Sequence, residues 1–274
     1  MNLSGALEIA RLTDVGLQRE HNEDAVASDE NLGFVVLADG MGGYKAGEVA
    51  SEMAVLTIVS CLSDTLGDYR CGKIDSLLGK QSEAQLLIDA VKSANEVIYS
   101  VSKSQPQCEG MGTTLVVGIF TNNKLLVGHL GDSRMYRLRG KVLSQLTEDH
   151  SYLQEQIKAG YLSPEEARYS ANKNLVTRAL GLDAEFDLEL NEYDVEVGDA
   201  YLLCSDGLTD MVEDEAIQAL LNQFLPDINE AVKALIYAAN KNGGSDNVSA
   251  ILVKVNGSFE CPKTWQDAAL KWFR

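Results

Sequence analysis

The chain, 274 residues long, is poor in the residue types on which several chemistries depend. It has three histidines, which disfavours a histidine-built zinc or iron centre. Its five cysteines (Cys61, Cys71, Cys108, Cys204 and Cys261) form no C-x-x-C pair, so they read as reduced cytoplasmic thiols and not as a zinc site. No cysteine has an arginine six residues later, so a cysteine-nucleophile phosphatase loop is absent. No D-x-D pair occurs, which removes an aspartyl-phosphate nucleophile of the usual form. Gly72-Lys73, Gly79-Lys80 and Gly140-Lys141 are not followed by Ser or Thr, so there is no P-loop. Basic charge is scarce, with 23 Lys and Arg against 41 Asp and Glu, a net charge of -18. That excludes the basic footprint a nucleic-acid partner needs. No run is apolar over the length that crosses a membrane, and Met1 to Ala10 has no basic n-region. A soluble, cytoplasmic, monomeric protein with no membrane partner is expected.

Apolar residues make up 45% of the chain, enough for a large core. Phe34-Val35-Val36-Leu37-Ala38 is an unbroken apolar run that predicts a buried strand. It ends on Asp39, followed by Gly40, Gly42 and Gly43. A carboxylate at the end of a rigid strand suits a metal ligand or acid/base group, and glycines admit a close approach. A plain strand–turn–helix junction has the same composition. Before it, Glu8 to Thr13 alternates as a strand and runs into a polar loop, 14 to 24. After it, a helix is predicted from Ala46 to about Leu62, then a surface connection over 63 to 80. The capping box Ser82-Glu83-Ala84-Gln85 opens a helix with Leu87, Val91, Ala94, Ile98 and Val101 on one face. Runs at 113–120, 124–130, 135–139 and 142–146 predict an antiparallel meander. Helices are expected over 149–159, from the capped start Ser163-Pro164-Glu165-Glu166, over 213–223 and over 227–240. Strands are expected over 186–190, 200–205 and 248–255. With no repeat and no linker, this pattern is α+β within one domain.

The acidic residues at strand ends are Asp39, Asp132, Asp206 and Asp246, with Glu23 and Asp24 closing the first polar loop. One such residue means little. Several would repel one another unless something neutralises them. Mg²⁺ or Mn²⁺ is the natural partner, since hard cations take oxygen ligands. A two-metal carboxylate centre generates a nucleophilic hydroxide and clamps a phosphoryl group. Arg19 can bond two phosphate oxygens with its planar fork, or else pair with Glu20 or Glu23 as a surface arginine.

As an ordered set the motifs resemble the PPM family of metal-dependent Ser/Thr protein phosphatases (type 2C), in its compact bacterial form. The pieces are Thr13-Asp14 with Gly16, Arg19 and Asn22-Glu23-Asp24; Ala38-Asp39-Gly40-Met41-Gly42-Gly43; Gly112-Thr113-Thr114; Gly131-Asp132-Ser133-Arg134; Thr147 with Asp149-His150; Thr177-Arg178-Ala179-Leu180-Gly181; Ser205-Asp206-Gly207-Leu208 with Asp210; and Ser245-Asp246-Asn247-Val248. They span roughly residues 8 to 256. The resemblance implies a central β-sandwich of two antiparallel sheets flanked by helices, with the metals at one end. It implies that Asp39, Asp206 and Asp246 hold one Mn²⁺ or Mg²⁺ ion. Asp39 and the Gly40 carbonyl would hold the second, with Glu23 or Asp24 acting through water. Asp132, with Asp206 and Asp210, matches a weaker third site, and Arg19 matches the phosphate-binding arginine. A hydroxide bridging the ions would hydrolyse phosphoserine and phosphothreonine on proteins, reversing a cognate Ser/Thr kinase. A non-catalytic binding module of the same fold, or a phosphatase dedicated to one regulator, are the alternatives.

The resemblance divides the chain into a phosphatase domain, 1–257, and a C-terminal extension, 258–274. Within the domain a variable flap spans about 150–171; its capping residues Ser163 and Glu166 predict order, and the flap is expected to tune substrate choice. The extension reads as an amphipathic helix carrying Trp265 and Trp272, packed on the body or, as the sharper alternative, docking a partner or a membrane surface. Two positions depart from the family pattern. Met41 and Tyr44 stand where histidine is often found in relatives, so protonation of the leaving group falls to metal-bound water or to His21, His129 or His150, candidates by proximity in sequence alone, with His129, in a strand, reading as a structural residue.

Overall fold

In the computed structural model, residues 3, 5–43, 45–66, 82–163, 166 and 175–261 are described. Two antiparallel sheets face each other. One holds β1 (Leu7–Asp14), β11 (Val248–Val255), β10 (Ala200–Cys204), β7 (Arg134–Arg139) and β8 (Val142–Gln145), in that order. The other holds β2 (Asp24–Asp29), β3 (Phe34–Met41), β5 (Leu115–Thr121), β6 (Lys124–Leu130) and β9 (Glu189–Asp194), with β4 (Gly112–Thr113) paired to the end of β3. Helices α1 (Ala46–Leu66) and α2 (Ser82–Ser104) cover the second sheet. Helices α5 (Asp214–Phe224) and α6 (Ile228–Lys241) cover the first. Between these pairs lie α3 (Tyr152–Lys158) and a single-turn α4 (Asp206–Thr209).

The unbroken apolar strands follow from this layering. On β3, Phe34, Val36 and Ala38 face α1 while Val35 and Leu37 face the opposite sheet. On β10, Ala200, Leu202 and Cys204 pack under α5 and α6 while Tyr201 and Leu203 enter the sandwich. Strands buried on both faces lose the alternation that marks a half-exposed sheet. Each fully buried Leu, Val or Phe contributes about 1.5–3 kcal/mol. Helix α1 is apolar and long enough to span a membrane by length and composition, contrary to the sequence reading, but Ala46, Ala50, Ala54, Ile58 and Leu62 are spent on the core.

Several elements differ from expectation. The predicted meander divides: β5 and β6 lie in one sheet, β7 and β8 in the other, and the chain crosses between them at 131–133. Turn-forming residues mark a reversal but not the sheet that receives the next strand. Strand β2 was not predicted, because Asp24-Ala25-Val26-Ala27-Ser28-Asp29 is short and framed by acids. The strand predicted over 186–190 begins at Glu189. Cys261 lies in a disulfide, which corrects the reading of all five cysteines as reduced; pairing follows spatial proximity, not spacing along the chain. Cys61, Cys108 and Cys204 are free. In the flap, Ser163 Oγ donates to Glu166 Oε2 (2.7 Å) and accepts from Glu166 N–H (3.2 Å), so the predicted capping box is formed. Beyond Val255 the chain packs back onto the body, with Phe259 buried edge-on against Phe120. Tyr44 and the predicted tail helix lie outside the described residues.

One end of the sandwich is locked by Asp199, just before β10. Arg139 Nε and Nη2 donate to its two carboxylate oxygens (2.7 and 2.6 Å), and Glu196 N–H and the Tyr201 hydroxyl add 2.9 and 3.0 Å bonds. Burial alone would raise this carboxyl, but these donors outweigh it and hold it below its ordinary 3.8. A depressed carboxyl contributes stability above its ordinary value and loses it as pH falls through the lowered one. Asp199→Ala is therefore expected to cost about 3 kcal/mol in chemical unfolding at pH 7, as for one stripped partner of a buried pair. The gap to the native protein should narrow below about pH 4, with activity per folded molecule unchanged.

Candidate active site

The opposite end of the sandwich gathers the acids, and antiparallel pairing is the reason. β3 and β10 end there, while β2 and β11 begin there. Asp24 and Asp39 are register partners on β2 and β3. Asp206 follows β10 as the first residue of α4, Asp246 precedes β11, and Asp132 sits in the crossover from β6 to β7. Asp39 feels the charges of Asp24, Asp206, Asp132 and Asp246, and Asp206 those of Asp132, Asp210, Asp246 and Asp24. Burial, then this repulsion, holds the Asp39 and Asp206 carboxyls well above their ordinary value. Burial first, and then the charge of Asp149, pushes Asp132 up to about 6. Burial carries Asp24 to about 6 as well, although hydrogen bonds from Ser249 and Ser205 oppose it. Glu23 is raised by burial against the nearby Arg19.

Backbone and small side chains hold each acid. Asp39 N–H donates to Thr114 Oγ1 (3.0 Å), and the Asp39 carbonyl accepts from Thr113 Oγ1 (2.9 Å) and Thr114 N–H (2.8 Å). This is what the Gly112-Thr113-Thr114 motif does. A Cβ on Gly40 would lie 2.0 Å from the Gly47 carbonyl oxygen, so only glycine lets the start of α1 pack here. Ser205 Oγ donates to Asp24 Oδ2 (2.8 Å), while Asp24 Oδ1 is buried with no hydrogen-bond partner. Arg134 grips Asp149 with Nε and Nη2 (2.8 and 2.7 Å), beside Asp132. Arg19 Nη2 donates to Asp246 Oδ2 (2.7 Å), so the exposed arginine pairs with a cluster member and not with Glu20 or Glu23.

Glu23, Asp24, Asp39, Gly40, Asp132, Asp206, Asp210, Asp246 and Arg19 thus come together. Ser163 and Glu166 bond to each other and, among the described residues, not to this cluster. Two residues that stand in the quoted motifs have no role assigned from sequence: Ser205, which reaches Asp24, and Asn247, which reaches the Arg19 loop. Both are uncharged, and their partners lie far away in the chain. His129 and His150 are buried and stacked, with ring centroids 4.6 Å apart. His129 Nε2 donates to the Glu148 carbonyl (2.9 Å). His150 Nδ1 accepts from Gly131 N–H (3.2 Å), which leaves the proton on Nε2, facing Glu189 (3.3 Å). Through the Glu148 and Gly131 bonds this stacked pair braces the chain behind the Asp132 turn, while His129 Nδ1 is buried without a hydrogen-bond partner.

An all-oxygen acid cluster with orphaned carboxylate capacity fits hard divalent cations. The model of the family described as Protein phosphatase 2C matches residues 18–252. The serine/threonine phosphatase stp of Listeria monocytogenes is 36% identical over 245 residues, covering 88% of this chain and 93% of that protein. The solved serine/threonine phosphatase PstP/Ppp of Mycobacterium tuberculosis superposes with a TM-score of 0.80 at 36% identity, covering 92% of this chain and 99% of that one. A PstP catalytic domain in complex with two manganese ions superposes at 0.79 with 37% identity, over the same shares of the two chains. On a family match across most of its length and relatives more than a third identical that share the sandwich, this chain belongs to the protein phosphatase 2C family.

Proposed function

We propose that this chain is a metal-dependent phosphatase acting on phosphoserine and phosphothreonine in proteins, opposing a Ser/Thr kinase. The observation that carries the reading is the convergence of Asp24, Asp39, Asp132, Asp206 and Asp246 at one sandwich end, where burial and neighbouring charge hold Asp24, Asp39, Asp132 and Asp206 above their ordinary pKa. Such a cluster is destabilising until cations neutralise it. Asp39, Asp206 and Asp246 would hold one Mn²⁺ or Mg²⁺ ion. Asp39 and the Gly40 carbonyl would hold a second, with Glu23 or Asp24 through water, and Asp132, Asp206 and Asp210 a third. The manganese-bound PstP domain supports this choice of ion. Divalent ions held this way supply Lewis-acid charge and acidify a water enough for attack at phosphorus. Arg19 orients the phosphoryl group: its exposed guanidinium is anchored on Asp246 by one nitrogen and presents a planar fork to phosphate oxygens. His129 and His150 are buried, with three of their four ring nitrogens turned to Glu148, Gly131 and Glu189 and His129 Nδ1 enclosed without a partner, which does not suit them to protonate the leaving group.

Two measurements test this. Hydrolysis of a phosphothreonine peptide and of p-nitrophenyl phosphate is expected with Mn²⁺ and is expected to vanish with EDTA. Asp206→Asn should lose at least about a hundredfold in kcat, the scale of a lost electrostatic stabiliser. A folded native protein silent on both substrates in Mn²⁺ would reject the reading. Arg19→Ala should reduce kcat/KM for p-nitrophenyl phosphate by about tenfold or more, since hydrogen bonds to charged groups contribute about 1.5–3 kcal/mol. Unchanged kinetics would remove Arg19 from phosphate binding.

A further inference from the structure

The Arg19 loop contains no helix or strand from Val15 to Glu23. A stretch of that kind does not fix its own geometry; its backbone groups must find partners elsewhere. Three of them find the same one. Asn247, which is 5% exposed and stands just before β11, accepts from Glu23 N–H at Oδ1 (2.8 Å). Its Nδ2 donates to the Val15 carbonyl (3.0 Å) and to the His21 carbonyl (2.8 Å). Its own N–H donates to Asp246 Oδ1 (2.8 Å), the carboxylate whose other oxygen receives Arg19.

One planar amide therefore grips both limbs of the loop, with Arg19 at the tip between them. Only a side-chain amide offers two donors and an acceptor on a single short group. Among the described residues the other ties do not reach both limbs from one side chain outside the loop; on the second limb the Glu23 carbonyl also accepts from Gly40 N–H (2.9 Å). Asp14 Oδ1 accepts from Gly16 N–H (2.9 Å), Leu17 N–H donates to the Gly244 carbonyl (2.8 Å), and Asn22 Nδ2 donates to Thr13 Oγ1 (2.7 Å). Asn247 cannot easily shift to relax the strain of a lost partner, because its carbonyl lies 1.9 Å from where a Cβ on Gly207 would stand, against α4.

We propose that Asn247 is a positioning residue: it latches both limbs of the 15–23 loop to the start of β11, so that Arg19 and Glu23 stand in fixed registration with Asp246. The proposal rests on the reading of Arg19 as the phosphate-binding residue, and its test keeps the two separable. The probes are the Mn²⁺-loaded full chain, p-nitrophenyl phosphate and trypsin. Asn247→Ala removes all three bonds; Asn247→Asp keeps the acceptor and loses both donors, and it carries the test should the alanine variant not fold.

Trypsin cleavage of the bond after Arg19, located by intact mass, is expected to be about tenfold faster in both variants than in the native protein, as for a loop released from several hydrogen bonds. A native cleavage rate in both overturns the latch. KM is expected to rise about tenfold while kcat stays within about threefold, the split of a lost binding orientation. A lowered melting temperature with native KM would reduce Asn247 to a structural residue and overturn the proposal. In a double-mutant cycle, Arg19→Ala should have little further effect on kcat/KM in the Asn247→Ala background; a full additive loss also overturns it. If Arg19→Ala alone leaves kcat/KM unchanged, the phosphate reading fails, and the cleavage rates still decide whether the latch exists.

Discussion

Like charge confined at one end of two packed sheets is the constraint on which the rest of this structure depends. Antiparallel pairing brings the end of β3 beside the start of β2 and the end of β10 beside the start of β11, so acids at those positions converge. Repulsion of this kind cannot be relieved by moving one side chain, because each is carried by a strand whose register is set by apolar residues on both faces. The sandwich core holds the strands, and the strands hold the acids together.

A shell of neutral hydrogen-bonding groups holds the acids and their backbone in place. Thr113, Thr114, Ser205 and Asn247 each place a hydrogen bond where it fixes an acid or the backbone beside it. Neutral groups suit the task, because a cation in their place would compete with the divalent ions the oxygen cluster is built to receive. Arg19 is the basic side chain bonded to Asp246, and it approaches from the exposed side.

Much of this was legible in the chain. The apolar run before Asp39, the glycines after it and the recurrence of acids at strand ends mark the acids that the fold brings together, and the periodicity of α2 marks Leu87, Val91, Ala94 and Ile98 as its buried face. What was not legible shares one physical cause: it depends on which distant segment becomes a neighbour. Gly131-Asp132-Ser133 has the composition of a hairpin turn but serves as the passage between sheets. Asn247 and Ser205 look ordinary until residues 15, 21, 23 and 24 are folded against them. Gly47 is demanded by its approach to Gly40 and Glu23, which no local pattern records.

The pairing of β1 with β11 also bears on how the protein comes into being. Leu7 to Asp14 zip against Val248 to Val255 along eight consecutive residues, so an early strand waits for the last of the described strands before its sheet is complete. Asp246, the Arg19 loop and Asn247 all belong to that seam. During synthesis the nascent chain carries Asp39 and Asp132 long before it carries the residues that finish the site, and contacts this distant in sequence form late in folding. Until β11 docks against β1, a chain organised in this way lacks Asp246 and Asn247 beside the Arg19 loop, and its site is incomplete.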